Sequence, residues 1–233
     1  MKMICINCNF ENNIENKFCP NCGEKSEISK ITFNSIFVGG FSTITNMDKG
    51  FLFNVKNLFL NPNKTVKDYI NGKRKNILNP ISFLIITITI YLIADSIIQD
   101  EIEIDKIDSK VYSVGYEAGK FMRLYFKYFW ILSIICLGFS TKLVFKKYNY
   151  AEHLAINSFV LGQSTLIGLI IFVMTKNSLL FNPFVYISII WMTYKIFKTK
   201  NKDLNVFLQS FFSTILFFIQ LVIIVVSIGI INS

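Results

Sequence analysis

From Val206 to Ile231 the chain runs without a single charged side chain. A helix that packs inside a water-soluble protein keeps a polar stripe at a period of about 3.6 residues. This run offers only Gln209, Ser210, Ser213, Thr214, Gln220 and Ser227 as polar residues. About 30 Å of hydrocarbon is crossed by about 20 mostly apolar residues, and the run is long enough to do so. Four further stretches have the same character: Ile81–Ile98, Leu124–Val144, Leu154–Met174 and Leu179–Phe197, the last broken near its start by Asn182-Pro183. Composition agrees, with 52% hydrophobic residues, 17% charged and a mean hydropathy of +0.47, against about 25% charged in soluble domains. The richness in Ile, Asn, Lys and Phe fits an AT-rich genome and by itself carries no functional content. The expectation is an all-α polytopic membrane protein of about five transmembrane helices, with the bundle occupying residues 79–233.

Charge sets the orientation. The formal net charge is +9, but the cations lie between apolar blocks, which suits an anionic lipid surface better than nucleic acid. Lys64, Lys67, Lys73, Arg74 and Lys75 precede the first span, Lys142, Lys146 and Lys147 fill the second loop, and Lys195, Lys198, Lys200 and Lys202 the fourth. The first loop is acidic, with Asp100, Glu101, Glu103, Asp105, Asp108 and Glu117 set against Lys106, Lys110, Lys120 and Arg123, and the third holds only Lys176. By the positive-inside rule this alternation predicts a multi-pass protein of a bacterial cytoplasmic (inner) membrane, N-terminus in the cytosol and C-terminus outside. Met1 to Phe10 has no apolar signal region, so the first span is expected to act as its own insertion signal.

Residues 1–28 read as a zinc ribbon. Cys5-Ile6-Asn7-Cys8 and Cys19-Pro20-Asn21-Cys22 are two matched C-x2-C turns, each able to present two thiolates to a tetrahedral soft-ligand metal. Gly23 follows the second pair, where a tight knuckle favours a residue free to take positive φ. So short a segment cannot bury a core, and structural zinc contributes about 10–16 kcal/mol in such peptides. A cytosolic location disfavours two disulfides. All four positions are filled by protein, so Zn²⁺ at Cys5, Cys8, Cys19 and Cys22 is expected to be structural. Cys136 lies within the second span and reads as a small apolar residue.

Residues 29–78 are apolar but too broken to span. Ile31, Phe33, Ile36, Phe37, Phe41 and Ile44, then Phe51, Val55, Leu58 and Phe59, suggest amphipathic helices that lie in the interface or cap the bundle from the cytosol. Asn61-Pro62 and Asn79-Pro80 are helix starts and Gly72 a stop. Lys73, Arg74 and Lys75 are then expected at the lipid headgroups, each contributing about 1 kcal/mol near an anionic surface.

Several runs resemble the bacterial membrane proteins grouped as domain of unknown function 3667. They are Cys5–Cys8, FCPNCG at Phe18–Gly23, Asp48-Lys49-Gly50, NPNKTVKDYINGKRKNILNPISFL from Asn61 to Leu84, and YNYAEHL from Tyr148 to Leu154. The resemblance implies an integral inner-membrane protein with a zinc-ribbon head, and no activity. Glu24 stands where that family leads one to expect Gln, a change read here as superficial.

Candidate chemistry is sparse. Glu152 and His153 form an ionisable pair at a membrane boundary, fit to relay protons or bind a cation, or simply to open a helix. His153 is the sole histidine, which excludes a histidine-rich metal site. Asp95 and Lys127 fall near the outer interface, where snorkelling removes most of their cost. Gln163, Gln209 and Gln220 suit interhelical hydrogen bonds. With no phosphate loop, H-E-x-x-H or nucleophile elbow, the chain reads as a non-enzymatic scaffold or sensor. Its zinc ribbon would engage a protein partner and its bundle an anionic bilayer; the alternative is a small-solute or ion transporter or channel.

Overall fold

In the computed structural model the described residues are 2–27, 30–36, 50–98, 110–176, 178–198 and 203–232, with backbone alone for 110–120, 122–124, 126–127 and 232. The acidic first loop, Asp48-Lys49, residues 37–44, the Lys127 side chain, Lys200 and Lys202 lie outside them. A short antiparallel hairpin, β1 (Lys2–Ile4) and β2 (Glu11–Asn13), opens the chain. Helices follow: α1 (Phe51–Leu60), α2 (Pro62–Ile70), α3 (Pro80–Ile98), α4 (Lys110–Val144), α5 (Tyr150–Thr175), α6 (Pro183–Phe197) and α7 (Asp203–Asn232).

The expected punctuation is present. Pro62 is the first residue of α2, and Gly72 takes φ +97° just past its end. Asn79 opens α3 by accepting from the Ile81 N–H at 3.0 Å. Asn149 and Glu152 form a reciprocal capping box at the start of α5. Lys176 ends α5 in a left-handed turn, φ 57°.

The stretch Leu179–Phe197 is not one helix. Residues Leu179–Phe181 form a 3-10 turn, Asn182 is extended, and α6 begins only at Pro183. Proline has no N–H to continue a helix, and it pushes the residue before it out of helical geometry. At 15 residues, α6 rises roughly 22 Å, short of the hydrocarbon thickness. Among the described residues three helices are long and apolar enough to cross a membrane: Pro80–Ile98, Tyr150–Thr175 and Asp203–Ile231. Tyr128–Val144 and Pro183–Phe197 are shorter apolar helices beside them.

α5 is the central element, packed by α3, α4 and α6, and α4 and α7 lie along one another. Burial follows that plan. In α5 nearly every side chain from Ala151 to Thr165 is inside, whereas α7 leaves Phe207, Phe211, Phe212, Ile219 and Ile223 on the outer surface. An apolar outer face of that extent suits a hydrocarbon solvent rather than water.

The helices are staggered. Phe83, near the start of α3, meets Phe159 at 5.9 Å between ring centres, about two turns into α5. The first turns of α5 therefore project past the start of α3, and α1 and α2 fill that step. Phe51 packs on Phe83, Phe59 on Trp191 and Tyr69 edge-on to Phe159. Asn63 of α2 donates to the Lys195 and Ile196 carbonyls at 2.9 and 2.8 Å, capping the C-terminal end of α6. Of the two roles expected for these helices, capping the bundle is the one their contacts support. Gln163 bonds across helices to the Val55 carbonyl at 3.4 Å, while Gln209 is exposed.

Close helix approach rests on glycine. A Cβ on Gly162 would lie 2.8 Å from the Phe83 ring, and one on Gly168 2.5 Å from both Leu179 and Val185. Gly162→Ala and Gly168→Ala are each expected to lower stability by about 1–3 kcal/mol through overpacking. Val173→Ala, at an exposed site on the same helix, is expected to be near neutral. Thermal unfolding in detergent measures all three; equal midpoints would remove the close-packing account.

Candidate metal centre

The two C-x2-C turns adopt the same local structure. Asn9 N–H bonds to the Cys5 carbonyl and Cys5 N–H to the Phe10 carbonyl, both at 2.9 Å. Likewise Gly23 N–H bonds to the Cys19 carbonyl at 2.7 Å and Cys19 N–H to the Glu24 carbonyl at 2.8 Å. Each turn closes through a left-handed residue, Asn9 at φ 60° and Gly23 at φ 71°, the region that glycine and asparagine tolerate best. The hairpin of β1 and β2 presents the first pair, and a bridge between Phe18 and Lys25 frames the second.

The four sulfurs converge. All lie within 4.8 Å of one another, with Cys5 Sγ to Cys22 Sγ 3.6 Å and Cys8 Sγ to Cys19 Sγ 3.7 Å. No disulfide joins them. Metal–sulfur bonds of about 2.3 Å in a tetrahedron put sulfurs about 3.8 Å apart, so the cluster fits a metal ion. Burial pushes the Cys5 thiol up to about 11, while backbone N–H donation at Phe10 draws Cys8 down to about 6. A metal ion takes all four cysteines as thiolates, so binding releases protons.

The residue after the second knuckle is not superficial. Glu24 is 6% exposed. Its Oε2 accepts from the Arg74 N–H at 3.0 Å and the Lys75 N–H at 2.8 Å, and Oε1 from its neighbour Lys25 N–H at 3.2 Å. This corrects the surface reading, and the cause is local. The stop at Gly72 leaves the next amides outside any helix, and buried backbone donors require a partner. Glu24 meets them because its own carbonyl is fixed by Cys19. The carboxylate clasps the metal head to the loop that leads into α3.

The clasp changes how Lys73, Arg74 and Lys75 are seen. Lys73 lies 3.9 Å from Asp68, and Arg74 folds back over the Tyr69 ring at 5.3 Å, so Lys75 is the most exposed of the three. Within α2, burial pushes the Tyr69 phenol up to about 12.

The side chains of Glu152 and His153 enter different surroundings. Glu152 is taken up in the capping box, its carboxylate accepting from the Asn149 N–H at 2.8 Å. His153 turns inward and is fully buried. Its Nε2 lies 2.9 Å from the Phe145 carbonyl and its Nδ1 3.0 Å from Thr141 Oγ1. A carbonyl only accepts, so Nε2 carries the proton. Stacked on Phe197 and edge-on to Tyr148, the imidazole pins the α4–α5 turn. Asp95 is half-buried near the end of α3 and Cys136 half-buried on α4. Sequence reasoning missed Glu24 and Asn63 as ties, because nothing local marks a side chain whose partner lies far along the chain.

Glu24→Ala strips two inward-facing amides of their acceptor, at about 1.5–3 kcal/mol per charge-assisted bond. Limited proteolysis of the metal-loaded protein is expected to cut within residues 1–30 several-fold faster in this variant. Glu24→Gln keeps an acceptor oxygen and is expected to resemble the parent. Equal cleavage of all three proteins would deny the clasp.

The family described as Protein of unknown function (DUF3667) matches residues 48–92. No curated protein and no solved structure matches the chain. The matched residues form α1, α2, the loop bearing the clasped amides and most of α3, so the resemblance to DUF3667 proteins holds in the segment on which the metal head rests.

Proposed function

We propose that the protein is a non-enzymatic membrane scaffold or sensor whose cytosolic head binds structural Zn²⁺ and engages a protein partner. The observation that carries the reading is on the head. Ile4, Phe10, Ile14 and Phe18 are all large, apolar and exposed on a unit of fewer than thirty residues. A small head that leaves its apolar side chains outside, with all four cysteines turned inward on one ion, is suited to contact rather than chemistry. Zinc is favoured among metals by four thiolates at tetrahedral spacing. The alternation of basic and non-basic segments supports five spans, with α4 and the short α6 completing the set, the N-terminus in the cytosol and the C-terminus outside a bacterial inner membrane.

A second reading, transport of a small solute or ion, draws on buried polar atoms of α5 and α6. Asn157 Oδ1, Gln163 Oε1, Ser164 Oγ and Thr193 Oγ1 are buried without a hydrogen-bond partner. Each such atom costs about 1–3 kcal/mol, an expense that a bound solute or ion would offset.

The readings separate experimentally. The double variant Ile14→Ser, Phe18→Ser is expected to retain its zinc, measured by elemental analysis, yet to lose the protein captured by crosslinking in cells; an unchanged crosslink pattern counts against docking through the head. In proteoliposomes no solute flux is expected. Flux that Asn157→Leu abolishes would establish transport instead.

A further inference from the structure

Between the head and the helices beneath it lies a cleft of about 260 Å³. Asn7 of the first knuckle forms one wall, Asn57 of α1 and Lys64 and Asp68 of α2 form the floor, and Lys73 and Lys75 close the far side. The volume is just below the range of about 300–1,000 Å³ typical of drug-sized ligands, and suits a single compact headgroup.

Its charge is one-sided. Asp68, the sole carboxylate in the lining, faces Lys73 at 3.9 Å. Among the described residues no carboxylate pairs with Lys64 or Lys75. Lys75 is further constrained, since its Nζ sits 3.0 Å from where a Cβ on Gly23 would stand, so the ammonium lies against the head's backbone. Its own N–H is held by Glu24. Two unpaired ammonium groups flanked by asparagine amides form a basin for a compact, multiply charged oxyanion. Lysine serves such anions as a point charge with three donors.

We propose that this cleft binds a phosphate group, with Lys64 and Lys75 as its charge partners and the seated head as its wall. The phosphate is a lipid headgroup or a free phosphate, two sources that share one recognition chemistry. The proposal goes beyond docking through the head, because it requires the head seated on α1 and α2 and no protein partner.

The test is a lysine-acylation footprint of the full-length, zinc-loaded protein in phosphatidylcholine nanodiscs, with Lys56 on α1 and Lys17 on the head as internal references. Added inorganic phosphate, compared with chloride at equal ionic strength, is expected to slow labelling of Lys64 and Lys75 at least threefold, if the source is soluble. Protection that appears only when phosphatidylglycerol is built into the disc assigns the site to a headgroup. Either result supports the proposal. Labelling unchanged in both arms overturns it, and so does protection spread equally over Lys56, which is general surface screening. Glu24→Ala, with its zinc content confirmed, is expected to lose the protection; protection retained in that variant would remove the head from the site. None of these outcomes depends on a crosslinked partner, so the docking reading stands or falls separately.

Discussion

A buried backbone group freed at a helix end needs a hydrogen-bond partner. At several of its breaks the chain answers with a polar side chain. Asn63 takes the last carbonyls of α6. Asn79 accepts from Ile81 and donates to the Ile36 carbonyl at 3.0 Å. Asn182 accepts from Phe184 and donates to the Gly168 carbonyl at 3.3 Å. Lys142 reaches the Tyr148 carbonyl, and Glu24 takes the Arg74 and Lys75 amides. These bonds decide where helices stop, and the helix ends decide which faces meet.

That view revises the meaning of the asparagine content. As composition it carries no information, and a biased genome is enough to produce it. As placement it is specific, since Asn61, Asn79, Asn149 and Asn182 each stand at a helix start and three of them precede proline at the break itself. A short amide that both donates and accepts suits a point where one chain direction ends and another begins.

Much of this was legible beforehand. Helix starts at Asn-Pro, the stop at Gly72, the paired knuckles and the long apolar helices follow from rules that act over a few residues. Two such rules compete at Leu179–Phe197, which has the hydropathy of a span and is divided by Pro183, a break that Asn182-Pro183 marks in the sequence. The illegible part is long-range. Glu24 meets amides some fifty positions away, and His153 turns from Glu152 because Phe145, Phe197 and Thr141 surround it. Adjacency in sequence suggested a functional pair, whereas the helix period placed one side chain outside and the other in.

Ile31 and Ile36 are buried among the helices, with the Ile36 carbonyl held by Asn79. The chain is thus fastened from Ile31, about seven residues after Glu24. At about 3.3–3.6 Å per extended residue, the knuckles released from their clasp could travel roughly 25 Å from that anchor and no farther. The head is a leashed body that stays within reach of the helices beneath it.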